Sequence, residues 1–321
     1  IWEWIQKMRG AGKLDQLYAV MDIGTNSVRL MLARCSGRVE VEEKRICTTR
    51  IGEALHSTGE LSEGGMERSL TALAGFLETA REAGATQFFA FATSAVRDAK
   101  NRQEFLDRCR EKLGLEVDVI SGGEEAGLGF AGIGVRGQAK LIDIGGGSTE
   151  IACGAGGRVS FSFSVPVGCV RALERYPETE DGLLHARKWL HDMPMSFEGE
   201  AVKAGKLMQK LRKAEGPAYA IGGTATAIAS LAAGLTQRYD ARIVTGRALT
   251  LGEVRRINAE MGRIPLGNRR KIPLLGKRAE VIRFGAALLE ECMVCLDAPS
   301  VITSDADNLE GYLLQRVGKP A

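Results

Sequence analysis

The chain has 321 residues, 45% of them hydrophobic and 26% charged, with a formal net charge of +3. These are the proportions of an ordinary globular protein long enough for two domains. So small a charge gives no ground for a nucleic-acid partner, and no apolar run approaches the ~18–20 residues of a membrane span.

Residues 1–7, Ile-Trp-Glu-Trp-Ile-Gln-Lys, carry both charges and no apolar core, so they do not read as a secretory signal. A β-prone run over 17–21 leads into Asp22-Ile23-Gly24-Thr25-Asn26-Ser27, and a second β-prone run follows over 28–33. The pattern predicts strand, Gly-containing turn, strand. Met66, Leu70, Leu73 and Leu77 recur at helical spacing. A short strand is predicted over 87–92. Ser94 then reads as the N-cap of a helix carrying Arg97 in its first turn. A helix over 105–113 stops at Gly114, and a strand is expected over 117–120. Ser121-Gly122-Gly123-Glu124 has the form of a capping box opening another helix.

The second half restarts the pattern. A strand over 141–144 enters Asp143-Ile144-Gly145-Gly146-Gly147-Ser148, and a β-prone run over 149–153 follows. Ala220-Ile221-Gly222-Gly223-Thr224 reads as strand, tight turn, helix. Then come a helix over 279–292, a strand over 300–303 and a closing helix over 309–317. The alternation is that of an α/β protein. The domain boundary is expected near 135, giving domains at 14–135 and 136–304, with a closing segment 305–321 packed back on the first.

Seven scattered cysteines and three histidines do not make a disulfide framework or a His-rich metal site. Cys292-Met293-Val294-Cys295 lies in a helical run with no second pair and reads as buried packing rather than a metal or redox motif. A reduced, cytoplasmic protein is expected.

The repeated Asp-Ile-Gly turn carries the functional reading. Glycines let backbone N–H groups approach an anion, and small polar side chains add donors. Gly24, Thr25, Asn26 and Ser27 in the first copy, Gly145, Gly146, Gly147, Ser148 and Thr149 in the second, and Gly222, Gly223 and Thr224 are therefore candidate phosphate ligands. Ser94 and Arg97, at a helix N-terminus, join them. Asp22 and Asp143 are candidate ligands for a divalent cation. Glu125, about 100° around its helix from Glu124, could orient a water, and Glu150 is the other candidate acid. The basic residues at 269–271 and 277–278 could extend an anion track, although solvated surface is the ordinary reading of such runs. There is no Gly-Lys-Ser/Thr, and the stretch 145–150 has Glu where a dinucleotide fingerprint has its third Gly, so neither a P-loop ATPase nor an NAD enzyme fits.

Together, Asp22–Ser27, Ala92–Asp98, Ile120–Ala126, Asp143–Glu150, Gly222–Thr224 and the stretch from Arg278 to Gly285 resemble the exopolyphosphatase/guanosine pentaphosphate phosphohydrolase (Ppx/GppA) family. The resemblance spans roughly 18–311. It implies two ribonuclease-H-like domains of the actin-like, sugar-kinase and heat-shock-chaperone ATPase superfold around a central cleft. It further implies Mg²⁺-dependent hydrolysis of inorganic polyphosphate or guanosine pentaphosphate, with Glu125 as catalytic base and Glu150 as second catalytic carboxylate, and it is compatible with a homodimer. The chain resembles the short two-domain form without a further helical domain. Leu309 stands where the family's closing motif has Arg.

Overall fold

A computed structural model describes residues 16–317. The segment read against a secretory signal, the first two residues of the expected first domain, and the last four residues of the closing segment lie outside them. Backbone packing divides the chain into two compact units, one ending at Ser121 and resuming at Asn308, the other Gly122–Asp307.

The first unit opens with β1 (Leu17–Ile23), β2 (Ser27–Cys35), β3 (Val39–Thr48) and a short α1 (Leu55–Thr58). Then come α2 (Glu63–Glu82), β4 (Gln87–Ala92), α3 (Ser94–Asp98), α4 (Arg102–Leu113) and β5 (Asp118–Val119). The Ser62 hydroxyl accepts a hydrogen bond from the Gly65 N–H and caps α2. Met66, Leu70, Leu73 and Leu77 are all buried, as their spacing predicts, and join Ala19, Met21 and Leu30 in one core. Gly114, at φ 64°, ends α4.

The second unit contains α5 (Gly122–Gly132), β6 (Gln138–Ile144), β7 (Thr149–Ala155), β8 (Arg158–Val165), α6 (Cys169–Arg175) and α7 (Glu180–Asp192). A hairpin of β9 (Pro194–Phe197) and β10 (Glu200–Lys203) leads to α8 (Ala204–Lys210), β11 (Ala218–Ile221) and α9 (Gly222–Ala232). The unit closes with α10 (Ala241–Val244), β12 (Ala248–Thr250), α11 (Leu251–Arg263), α12 (Leu266–Arg269), α13 (Ile282–Cys295) and β13 (Ser300–Thr303). Helix α14 (Asn308–Val317) belongs to the first unit, where Tyr312 stacks on Phe91 with ring centroids 4.6 Å apart.

The sheets share one topology. The first has the order β3-β2-β1-β4-β5, and the second contains β8-β7-β6-β11-β13 with β12 added at the edge. In each, three antiparallel strands come first and two parallel strands follow on the other side. This is the ribonuclease-H-like arrangement, present twice, and the duplication is that of the actin-like superfold.

Helix α5 packs on the second sheet: Ala126 and Phe130 bury against Ala139, Leu141, Ala152 and Ile221. It therefore belongs to the second unit, and the boundary in packing falls at 121/122 rather than near 135. The opposite face of that sheet, with Ile142, Ile144, Ile151 and Ala220, packs on the larger core of Ile228, Phe284 and Leu288. Helix α13 starts at Ile282, three residues after the sequence-based start, because Gly276–Glu280 form a 3-10 turn first. No helix among the described residues is long and apolar enough to cross a membrane.

Candidate active site

The two Asp-Ile-Gly hairpins have matching geometry. In the first, the Gly24 N–H donates to the Ser27 carbonyl at 3.1 Å; in the second, the Gly145 N–H donates to the Ser148 carbonyl at 3.0 Å. The turn carbonyls are held from behind. Those of Gly145 and Gly146 accept from the N–H groups of Cys169 and Val170 at 3.0 and 2.9 Å, and those of Thr25 and Asn26 accept from Gly52 and Arg50 at 3.1 and 3.0 Å. A trans peptide points its C=O and the next N–H in opposite directions, and no cis peptide occurs among the described residues. The N–H groups of Asn26 and Ser27, and of Gly146 and Gly147, therefore face away from these anchors, as an anion-binding nest requires. Gly168 makes the second anchor fit: a methyl there would lie 2.4 Å from the Gly146 carbonyl oxygen.

The hairpins differ in the residue opposite the Asp. Asp22 pairs across the strands with Arg29, whose Nε lies 2.9 Å from Oδ2. Asp143 pairs across the strands with Glu150. The first turn is thus neutralised within its own sheet, whereas the second sets two buried carboxylates side by side, at 8% and 1% exposure.

Glu150 is opposite Ser164 on its other side, and the Ser164 hydroxyl donates to Oε1 at 2.7 Å. Ile221, Asp143, Glu150 and Ser164 form a continuous row across four strands, on the face that α5 covers. The start of α5 rests on the end of that row: a methyl at Gly122 would lie 2.3 Å from Ser164 Cβ. Glu125 follows in the first turn and is buried, while Glu124 points to solvent. Asp143, Glu150 and Glu125 thus lie on three elements of one unit, the first two as neighbours across the strands and Glu125 buried in the helix that covers their face.

The third Gly-rich turn joins the same end of the sheet. Gly222 has φ 77°, which favours glycine, and its missing methyl leaves room for Asp143, whose Oδ1 would be 2.4 Å from it. Over Gly223 lies the Arg278 guanidinium, 2.8 Å from where a methyl would stand. A cation at the positive end of α9 is unfavourable alone and favourable once an anion is shared. The sequence offered Arg278 in a basic run that could extend an anion track, and the chain fold brings it to the loop. Burial pushes the Cys169 thiol up to about 11, opposed by the Thr224 hydroxyl and the charge of Arg278, which places these three groups together.

Some candidates have other duties. The Thr149 hydroxyl donates to the Val167 carbonyl at 2.7 Å and that of Thr224 to the Ile144 carbonyl at 3.0 Å. Both protons are used inside the fold, so these side chains brace the turns instead of donating to a phosphate. Thr25 and Ser94 are hydrogen-bonded to each other at 2.9 Å and are buried. Thr93, not Ser94, is the N-cap of α3. Arg97 donates to the Ile120 carbonyl at 3.1 Å and lies 3.4 Å from Asp98. Of the basic run, Arg269 is buried against Glu178 and Arg270 pairs with Glu280 at 2.8 Å, so these two are internal ion pairs rather than an anion track. Leu309 is fully buried, a place where Arg would need an ionic partner.

Fold and site together define an actin-like α/β protein whose second unit carries a buried carboxylate pair beside N–H-lined turns. The chain belongs to the Ppx/GppA phosphatase family, whose model matches residues 36–319. It is similar to the crystal structure of the Aquifex aeolicus member of that family, with 28% identity, coverage of 94% of this chain and 97% of that one, and a TM-score of 0.75. Its fold also matches that of an exopolyphosphatase from Cytophaga hutchinsonii, at 22% identity, 94% and 98% coverage and a TM-score of 0.82.

Proposed function

We propose that this phosphatase is a Mg²⁺-dependent exopolyphosphatase, releasing orthophosphate from the end of inorganic polyphosphate. The observation that supports the reading is the row Asp143–Glu150–Ser164 with the first turn of α5, which carries the buried Glu125, seated on its end. Backbone N–H groups of the turns at 145–148 and 222–223 would receive phosphate oxygens, and Arg278 would offset their charge. Asp143 and Glu150 suit Mg²⁺, a hard cation that takes one or two carboxylates plus phosphate oxygens. Asp22 already has Arg29 in the place a cation would take. Mg²⁺, when bound, would neutralise charge on the phosphate chain.

Glu125 would accept a proton from water as the water oxygen bonds to the terminal phosphorus. The bridging P–O bond then breaks, orthophosphate leaves and the chain is one unit shorter. Ser164 fixes the rotamer of Glu150 through its hydrogen bond, so alignment is built in before substrate arrives.

The test is phosphate release by the purified protein with Mg²⁺, offering long polyphosphate, short polyphosphate and guanosine pentaphosphate in parallel. Release from polyphosphate is expected, and Glu125→Gln should lose about 10²–10⁴-fold in kcat while binding polyphosphate as before. Preference for guanosine pentaphosphate would transfer the same chemistry to a nucleotide substrate. Binding without release would make the chain a regulator, and wild-type turnover in Glu125→Gln would remove Glu125 from its role.

A further inference from the structure

Away from these acids, the second unit holds a cluster that the proposed reaction does not use. Helix α7 carries His191 in its last turn, and α13 carries Glu291 and Cys295 four residues apart, on one face of the helix. His191 Nδ1 lies 3.0 Å from Glu291 Oε1, Cys295 Sγ lies 3.3 Å from that same oxygen, and Sγ to Nδ1 is 3.5 Å. With Zn–S near 2.3 Å and Zn–N and Zn–O near 2.0–2.2 Å, three corners of a tetrahedral zinc site stand about 3.3–3.6 Å apart. The triangle is therefore close to that of a tetrahedral metal site with one corner left for water.

The surroundings hold each ligand in place. The imidazole lies flat on Gly205 of α8, where a methyl would be 2.4 Å from Nδ1 and Cε1. Arg187 Nε binds the other Glu291 oxygen, Oε2, at 3.1 Å, and its Nη1 binds Glu290 at 2.9 Å, which leaves Oε1 turned towards His191 and Cys295. Arg212 Nε binds the Cys295 carbonyl at 2.7 Å and pins the end of α13. Outer-shell contacts of this kind are what orient metal ligands. Cys295 and Glu291 are buried and His191 is partly exposed, so the vacant corner has a solvent side.

We propose that His191, Glu291 and Cys295 bind one borderline-soft divalent cation of the Zn²⁺ class. The imidazole, carboxylate and thiolate are a donor set for zinc or cobalt rather than for Mg²⁺. On coordination the thiol proton leaves to solvent. The thiolate and the carboxylate together balance the cation's charge. Gly285, in the first turn of α13, packs against Thr224 of the third Gly-rich turn. Glu291 and Cys295 lie six and ten residues further on, about 9 and 15 Å along the axis. The site is thus separate from the phosphate turns, on the same helix, and would tie α7 to α13. Of the Cys-x-x-Cys pair, Cys295 is the ligand, and Cys292 is core packing.

The test uses the full chain, stripped with chelator and titrated with Co²⁺ and then with Zn²⁺. One equivalent of Co²⁺ per chain is expected, with thiolate-to-cobalt charge-transfer absorption and the intense visible bands of a tetrahedral ion, and Zn²⁺ should displace it. Cys295→Ser should abolish the charge-transfer band. It should also weaken Zn²⁺ binding by more than the ~10–100-fold that loss of an outer-shell partner costs. His191→Gln, at a partly exposed position, tests the same site should the serine variant fold poorly, and Cys292→Ala should bind as wild type does. Absence of stoichiometric uptake overturns the proposal. So does uptake that survives both ligand variants, or uptake lost in Cys292→Ala.

Discussion

Strand β7 alternates, so Glu150 and Ala152 face α5 while Thr149 and Ile151 face the core on the other side of the sheet. Period two therefore separates two adjacent residues that the sequence reading grouped in one site, and Glu150 stays beside the acids while Thr149 does not. Thr149→Val tests the separation. It removes the hydroxyl bound to the Val167 carbonyl and leaves a buried acceptor unsatisfied, which should cost about 1–3 kcal/mol. Thermal melting should report that loss, while KM for polyphosphate should stay within about twofold. A large rise in KM with unchanged stability would return the Thr149 hydroxyl to the phosphate. The different directions of Glu124 and Glu125, one exposed and one buried, were legible because consecutive residues at a helix start cannot both point the same way. Arg278 was legible only as part of a basic run, because it follows Gly223 by 55 residues and only tertiary packing brings its guanidinium to the turn.

At the scale of elements, the repeated phrase and the helical spacing of Met66, Leu70, Leu73 and Leu77 were readable because they are local. The placement of α5 was not: its partners Leu141, Ala152 and Ile221 lie further along the chain, and no local signal says which sheet a helix will cover. The same holds for the anchor behind the second hairpin. Helix α6 supplies the N–H groups that hold Gly145 and Gly146, and Gly168 lets it come close enough. Gly168→Ala would press a methyl against backbone that cannot rotate away, so a loss of about 1–3 kcal/mol is expected. With the turn displaced, polyphosphate KM should rise by about tenfold or more. Gly123→Ala is the matched control. Nothing lies within 4 Å of a methyl there and its backbone is not left-handed, so stability should hold or improve slightly. Steady-state kinetics and melting of the two variants decide it: equal behaviour would mean that the turn does not depend on the α6 anchor.

Across the whole molecule, one fold is used twice with opposite electrostatics at the same position. Asp22 faces Arg29 in the first unit, and Asp143 faces Glu150 in the second. The first arrangement stabilises its unit, because a buried carboxylate keeps its cationic partner. The second sets two carboxylates on neighbouring strands, where a divalent cation could take both as ligands. Arg29→Gln should therefore destabilise the protein by about 2–3 kcal/mol, below the ~3–5 kcal/mol of a fully buried pair, since the Arg29 side chain is 22% exposed. Glu150→Gln should leave the metal-free melting temperature within about 2–4 °C of wild type, a change of ~1 kcal/mol or less. Saturating Mg²⁺ should then raise the wild type, because a ligand that binds the folded state stabilises it, and should raise Glu150→Gln much less. The two melting curves are thus expected to draw apart when Mg²⁺ is added. Calorimetry of the three proteins with and without the cation measures this directly. Identical responses of wild type and Glu150→Gln would mean that the second hairpin does not hold the metal, and a neutral Arg29→Gln would mean that the first hairpin is not the braced copy.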